Sequence, residues 1–398
     1  MLNSKTIVLG VTGGIAAYKA VELLRLLTKA GADVHVIMTR SAQEFVTPLT
    51  FQTLSHNPVH TELFNLIAER EIGHISLADR ADLLVITPAT ANIIGKLACG
   101  IADDMLTTTV MATKAPILVA PAMNVNMYCN PIYQENEERL RRHGFLFVEP
   151  VKGELACGWE GDGKLQTPEV IFEEAVKALT TQNLAGERVL ITAGPTREEL
   201  DPVRFISNHS SGKMGYAIAR TAWRRGAQVT LVSGPTCLPV PWGVKRIAVE
   251  SAEEMCQAVM ARGRECTVVI KAAAVADYRP VVRAGEKLKK QGDVMTLELV
   301  KNRDILTELG KEKGARVLVG FAAETTDLLT NARKKLEEKN VDLLVANDVT
   351  EAGAGFSVDT NIVRLLHRDG RIEEPGLLSK EAVANLILDR VAVLRKIR

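Results

Sequence analysis

Residues 6–38 read TIVLGVTGGIAAYKAVELLRLLTKAGADVHVIM, and this stretch decides the fold. The short apolar run Thr6–Gly10 enters a glycine-rich turn at Val11–Gly14. From Ile15 to Ala30 apolar residues recur at helical spacing (Val21, Leu24, Leu27), and Gly31 stops the helix. Val34–Met38 is the next apolar run. Strand, turn, helix and strand in that order make one unit of a doubly wound parallel sheet. Further buried strands are predicted at Leu83–Thr87 and Ile117–Ala120, each leading into a proline (Pro88, Pro121).

The same design restarts at Arg188. Val189–Ala193 is predicted as a strand, Met214–Arg225 as a helix stopped by Gly226, and Val229–Val232 as a second strand. Val268–Ala272, Val317–Phe321 and Leu343–Ala346 continue the series. Between the halves, Thr180–Glu187 (TTQNLAGE) is polar and reads as uncommitted, so the boundary belongs there. The expected domains are 1–182 and 183–398.

Bulk properties fit this α/β reading. The 398 residues are 46% hydrophobic and 24% charged, which excludes a disordered chain and a small disulfide scaffold. Lys and Arg (49) nearly balance Asp and Glu (48), so no global field draws the chain to nucleic acid or lipid. Aromatics at 4% disfavour a base-stacking surface. The six cysteines include no Cys-x-x-Cys pair, which argues against structural zinc. Met1–Lys5 carry no apolar signal core, and no apolar stretch reaches the ~18 residues of a membrane span. The expectation is a reduced cytosolic protein.

The first turn, Gly10-Val-Thr-Gly13-Gly14, offers close backbone approach and a helix N-terminus to a phosphate; equally, such glycines serve a plain tight turn. It lacks the Gly-x-Gly-x-x-Gly spacing of a dinucleotide reader. The second strand ends in Thr39-Arg40-Ser41 rather than in an acid for a ribose diol, which suits a mononucleotide phosphate. Pro88, Ala89, Thr90 and Asn124 follow predicted strands, where ligand crevices form. Asn124 has a donor and an acceptor for a carboxylate or amide, or it caps a helix or turn. His74, just before a helix-like Leu77–Arg80, is either a proton acceptor or a surface or capping histidine. Cys157, in the glycine-dense Glu154–Lys164 segment, reads as a thiol acid on a mobile flap.

In the second half, Ser207–Met214 fails the P-loop pattern at both ends, yet its Ser/Gly-rich helix entry suits either a phosphate or a plain cap. Ala272, Ala273 and Ala274 leave room for a flat base or ribose, and Asp277 is an acceptor for a sugar or a metal. Lys287 lies in a basic run that charge alone reads as a solvated face. Arg303, Asp304 and Phe321 sit at predicted element ends. Lys335 and Lys339 are four apart on one helical face, placed to reach phosphates.

Gly10–Lys19, His74, Pro121–Asn124 and the Cys157 segment together resemble the phosphopantothenoylcysteine decarboxylases, a family of flavin-binding, homo-oligomeric cysteine decarboxylases. The resemblance implies a flavodoxin-like domain holding FMN with Gly13, Gly14, Thr39, Pro88, Ala89 and Thr90. It also implies His74 as base, Asn124 as carboxylate clamp and Cys157 as proton donor. A simple amide-linked carboxylate has no electron sink; flavin oxidation of the neighbouring thiol-bearing carbon creates one, and a returned hydride makes the cycle redox-neutral. Where the family more often has Gly-Arg-Met, this chain has Gly163-Lys164-Leu165.

The second half is similar to the phosphopantothenate–cysteine ligases, so nearly the whole chain resembles the bacterial bifunctional enzymes of coenzyme A biosynthesis. This implies a Rossmann-like ligase domain using CTP and Mg²⁺. Asn208 would hold an acyl-cytidylate and Lys287 would stabilise phosphate charge. Ala272, Ala273, Asp277, Lys287, Arg303, Asp304, Ile305, Leu306, Phe321, Lys335 and Lys339 map onto the nucleotide site, with Asp277 toward the metal. The implied partners are 4′-phosphopantothenate, cysteine and CTP, in a homo-oligomer with trimeric decarboxylase and dimeric ligase contacts. Two rival readings remain distinguishable. An NAD-linked dehydrogenase needs the missing glycine spacing and an acid near position 39, and a non-catalytic flavin binder leaves Cys157, Asn208 and the lysines unexplained.

Overall fold

Apolar runs that continue rather than alternate belong to strands covered on both faces, and both halves of the chain are built that way. The computed structural model describes residues 2–64, 73–154, 160–289, 293–324, 328–348, 355 and 358–397. Contacts divide the chain into two units, Met1–Thr181 and Gln182–Arg398.

In the first unit the strands are β1 (Thr6–Val11), β2 (Asp33–Met38), β3 (Val59–His60), β4 (Leu83–Ala89), β5 (Ile117–Pro121), β6 (Leu146–Phe147), β7 (Val151–Glu154) and β8 (Glu160–Lys164). The helices are α1 (Ala17–Lys29), α2 (Pro48–Ser55), α3 (Gly73–Arg80), α4 (Ala91–Cys99), α5 (Met105–Ala112), α6 (Val125–Tyr128), α7 (Pro131–Arg142) and α8 (Pro168–Leu179). Six strands form one parallel sheet in the order β3-β2-β1-β4-β5-β6. The expected doubly wound parallel sheet holds, but its order, 3-2-1-4-5-6, is the Rossmann order and not the flavodoxin-like 2-1-3-4-5, which corrects that part of the expectation. Ile7, Leu9 and Val11 pack against Leu23, Leu24 and Leu27 of α1, while Val8 faces Ile93, Ile94 and Leu106 on the other side. Strand β1 therefore contributes to both cores. β7 and β8 form a separate antiparallel hairpin.

The second unit contains β9 (Arg188–Ala193), β10 (Arg197–Glu199), β11 (Phe205–Ser207), β12 (Gln228–Ser233), β13 (Lys245–Ala248), β14 (Val268–Lys271), β15 (Tyr278–Pro280) and β16 (Leu299–Lys301). It continues with β17 (Val317–Glu324), β18 (Leu343–Asp348), β19 (Thr360–His367), β20 (Ile372–Glu373) and β21 (Leu377–Ser379). Its helices are α9 (Lys213–Arg224), α10 (Ala252–Gly263), α11 (Ile305–Lys311), α12 (Leu328–Glu338) and α13 (Lys380–Ile397). The main sheet runs β13-β12-β9-β14-β17-β18-β19-β20, with β21 also on β19. It is parallel from β13 through β18, and β19 to β21 add antiparallel pairings that the sequence reading did not place.

Two sequence expectations need correction here. The stretch 180–187 is not uncommitted: Leu184 is fully buried in the second core, and Gln182 Nε2 donates to Arg224 O at 2.9 Å. A polar segment with one apolar anchor reads as linker because the anchor has no periodic neighbours. The second correction concerns His74, which lies inside the first turn of α3 rather than before it. Among the described residues no helix is long and apolar enough to cross a membrane.

Under β17 and β18, Lys313 Nζ meets Asp342 Oδ1 at 2.6 Å with both side chains almost fully buried, and Asp342 Oδ2 accepts from Leu318 N at 2.9 Å. Asp342→Ala removes this buried pair and the acceptor of Leu318 N, and lowers the stability of this unit by about 3–5 kcal/mol. Hydrogen exchange of the β17 and β18 amides checks this, and unchanged protection contradicts it.

Candidate active sites

In each sheet the strand order reverses beside the first strand, so the chain departs to opposite sides and leaves a crevice at the carboxyl ends. In the first unit the reversal lies between β1 and β4. Thr12, buried in the turn after β1, donates through Oγ1 to Pro88 O at 2.6 Å and accepts from Thr90 N at 3.2 Å. That stitch fixes the turn to the end of β4. Gly13 packs so tightly that an added Cβ would stand 2.3 Å from Ser41 Cβ and 2.8 Å from its backbone. Ala16, ahead of α1, provides no side-chain cap, so the opening N–H groups of α1 receive none.

A cleft of about 550 Å³ opens here, reached by Gly13, Gly14, Lys19, Thr90, Asn124 and Lys164 among others. The site residues Pro88 and Ala89 prove to be the last residues of β4, while Thr90 caps α4 by accepting from Ile93 N at 3.4 Å. Among the described residues, three buried side-chain atoms lack any hydrogen-bond partner: Thr39 Oγ1, His74 Nδ1 and Thr87 Oγ1. Thr39 directly follows β2, and its amide donates to Val11 O, which places it beside the first turn. An orphaned buried hydroxyl costs free energy until a partner arrives.

Asn124 caps α6, its Oδ1 accepting from Asn126 N at 2.9 Å, so the structure realises the capping alternative for that oxygen. Cys157 lies outside the described residues. The glycines around it have a packing reason: Gly163, at φ +120°, accepts at its carbonyl oxygen from Met123 N at 2.9 Å, and a Cβ there would meet Met123 O at 2.5 Å. Only a bare backbone lets β8 lie on the Asn124 loop. Lys19, which the sequence reading did not single out, donates to Leu165 O at 3.3 Å. Burial pushes its pKa down, and the nearby Lys164 charge adds to that.

In the second unit the reversal lies between β9 and β14. Thr192 Oγ1 accepts from Ala273 N at 3.1 Å, and Thr196 Oγ1 accepts from Ala276 N at 3.0 Å, so β9 holds the alanine turn open-ended above the sheet. Asn208 donates to Ala274 O at 3.0 Å, which brings it to the same turn. Asn302 donates to Ala276 O at 2.8 Å, and its own amide donates to Asp277 O at 2.8 Å. Asp277 is exposed, and among the described residues no three metal-ligating side chains cluster. A cation there would need substrate oxygens as well.

Lys287 is exposed, and its place is set by Asp201, which is buried. Asp201 accepts from Arg204 at 2.6 and 2.9 Å, from the Val203 and Arg204 amides, and from Leu288 N at 3.1 Å. Although burial opposes ionisation, these donors hold its carboxyl well below the usual range. The sequence reading passed over this aspartate; its Asp201-Pro-Val-Arg204 context is the turn signal that marks it.

Several nucleotide-site expectations are modified. Ile305 and Leu306 are core side chains, 1% and 5% exposed, so only their backbone at the start of α11 remains available. Asp304 caps that helix at Thr307 N (3.1 Å) and pairs with Lys339. Lys339 is therefore not a free phosphate hook. Exposed Arg303 stands 3.8 Å from Glu253. Phe321 and Ala272 pack toward the α9 side of the sheet, whereas Ala273 packs on the α11 side. Lys335 and Lys339 both act electrostatically on a residue the sequence reading absorbed into a strand, Lys271.

Comparison with known proteins gives two family matches, Flavoprotein over residues 1–180 and DNA/pantothenate metabolism flavoprotein C-terminal domain over residues 184–394. The chain is 52% identical over 400 residues to the coenzyme A biosynthesis bifunctional protein CoaBC of Bacillus subtilis (strain 168), covering 100% of this chain and 98% of that one. It is 48% identical over 395 residues to the CoaBC protein of Escherichia coli (strain K12), covering 98% and 97%. A crystal structure of the C-terminal domain of a CoaBC protein aligns at 46% identity and TM-score 0.48, covering 55% of this chain and 100% of that one. With identity at this level along its whole length, the chain belongs to the family of coenzyme A biosynthesis bifunctional CoaBC proteins.

Proposed function

We propose that the chain carries out two consecutive reactions of coenzyme A biosynthesis: condensation of 4′-phosphopantothenate with cysteine by residues 183–398, then decarboxylation of the product to 4′-phosphopantetheine by residues 1–182. The observation that carries this reading is that one chain holds two strand-reversal crevices of different character. The first is a mainly apolar cleft with an orphaned hydroxyl beside the glycine turn. The second gathers lysines and aspartates above β14.

FMN suits the first crevice, because Thr39 Oγ1 supplies an unpartnered donor and Gly13 and Gly14 bring bare backbone to the same turn. When bound, FMN supplies the electron acceptor and donor that a redox-neutral decarboxylation of a thiol-bearing carboxylate requires. Pro88, Ala89 and Thr90 close the neighbouring wall. His74, with its buried unpartnered Nδ1, is assigned proton transfer. Asn124 is the carboxylate clamp, and Cys157 the proton donor.

In the second crevice the phosphopantothenate carboxylate attacks the α-phosphorus of CTP, releasing pyrophosphate and forming an acyl-cytidylate; the cysteine amine then displaces CMP. Asn208 holds the acyl-cytidylate, and Lys287 stabilises phosphate charge. Asp277 together with the triphosphate oxygens holds Mg²⁺. Ala272, Ala273, Arg303, Asp304, the Ile305 and Leu306 backbone, Phe321, Lys335 and Lys339 surround the nucleotide. Positioning and charge stabilisation supply most of the rate in such transfers. The protein is assigned to the cytosol as a homo-oligomer with trimeric decarboxylase and dimeric ligase contacts. Exposed Ile15, Tyr18 and Met127 in the first unit, and Val282 and Val294 in the second, support contact surfaces of that kind.

Incubation with phosphopantothenate, cysteine and either CTP or ATP, followed by mass detection, tests the whole reading. 4′-Phosphopantetheine and CMP are expected from a yellow, FMN-containing sample; absence of both the condensation and decarboxylation products contradicts it. Asp201→Asn unseats Leu288 and with it Lys287, so ligation is expected to fall about tenfold or more while decarboxylation stays unchanged. Because the folded carboxyl titrates below its unfolded value of about 3.9, the tie is complete above that pH and is lost as pH falls through the folded value. Exchange protection of the Leu288 amide follows this directly, and wild-type protection in Asp201→Asn would refute the tie.

A further inference from the structure

Lys271 interrupts an otherwise apolar strand, Val-Val-Ile-Lys, at the carboxyl end of β14 beside the strand reversal. Val269 packs on the α11 side of the sheet, and Lys271, two residues further on, leaves by the same face. Its register partners are Thr192 on one side and Gly320 on the other. At Gly320 a Cβ would stand 2.9 Å from Leu306 Cδ2 and from Leu344 Cδ1, so the missing side chain lets α11 sit down on the sheet. That packing brings Asp304, the cap of α11, close to the Lys271 ammonium.

Asp304 is already paired with Lys339, and Asp277 is exposed. Among the described residues the Lys271 ammonium makes no hydrogen bond or ion pair. A half-buried ammonium without a partner is costly, and burial holds its pKa below the ordinary lysine value, with Asp304 opposing the shift. Its natural complement is an anion arriving from the crevice above.

We infer that Lys271 is a phosphate-binding residue of the nucleotide crevice, meeting a terminal phosphate of the triphosphate with Lys335 and Lys339 alongside. This rests on the ligase reading above. A phosphate of phosphopantothenate shares the same chemistry, so binding of each compound is measured separately. Isothermal titration of wild-type protein, Lys271→Met and Lys271→Arg uses CTP, CMP and 4′-phosphopantothenate, each with Mg²⁺. Lys271→Met is expected to weaken CTP about 10- to 100-fold while CMP and phosphopantothenate bind as in wild type, and Lys271→Arg is expected to restore most of the loss.

The melting temperature of the nucleotide-free Lys271→Met protein is expected to hold or rise, because an unpaired buried charge has gone. Wild-type affinity for CTP in Lys271→Met overturns the inference, as does equal weakening of CTP and CMP or a loss confined to phosphopantothenate. If wild-type protein binds neither CTP nor CMP, the ligase reading itself has failed. A nucleotide-free Lys271→Met protein that melts well below wild type makes the lysine structural, which also overturns the inference.

Discussion

Parallel strands place all their carboxyl ends on one edge of a sheet, and the reversal of winding beside the first strand is the constraint on which both sites depend. At β1 and β4, and again at β9 and β14, neighbouring strands send their chains to opposite faces. The gap that results cannot be filled by the strand connections themselves. It is lined by turn backbone, helix beginnings and the few side chains that the turns allow. In the first unit the Thr12 bridge to Pro88 and Thr90 sets the width of that gap. In the second, Thr192 and Thr196 do the same for the alanine turn. Buried threonines, one in the first unit and two in the second, thus couple β-sheet register to site geometry in both halves.

The near-zero net charge of the chain, +1, conceals local separation. In the second unit some charges are structural: Lys313 with Asp342 under the sheet, and Arg224 with Glu381 (3.0 Å) where α9 meets α13. Others gather at the carboxyl edge, where Asp304, Lys339 and Lys271 lie together. The first group is satisfied within the fold. In the second, Asp304 and Lys339 pair with each other while the Lys271 ammonium has no partner among the described residues, and the inferred anion would complete it.

Much of this was legible in the sequence. The βαβ series follows from continuous apolar runs, helical periodicity and the stopping glycines Gly31 and Gly226. Expected site residues that follow parallel strands, such as Thr39 and Ala273, could be placed because the carboxyl edge is predictable from topology, whereas Asn208 came only from the family resemblance. What escaped has physical reasons. β19 to β21 are an antiparallel addition with an alternating burial pattern in β19, a different signal from the buried runs before them. Asn124 offers an oxygen and an amide N–H, and only coordinates reveal that capping claims the oxygen, which leaves a carboxylate clamp to the N–H side. Ile305 and Leu306 look like part of a loop motif but point into the core. Lys271 was hidden inside a strand pattern; a single lysine in an apolar run at a strand end was the available signal.

The central claim is that each crevice serves its own reaction. The most direct measurement is a pair of rates for Asn208→Asp: condensation from phosphopantothenate, cysteine and CTP, and decarboxylation of supplied 4′-phosphopantothenoylcysteine. Aspartate removes the amide donor that meets Ala274 O and sets a negative charge beside that carbonyl. The account predicts that condensation falls about tenfold or more while decarboxylation keeps its wild-type rate. A parallel fall in both rates, or no change in either, would contradict it.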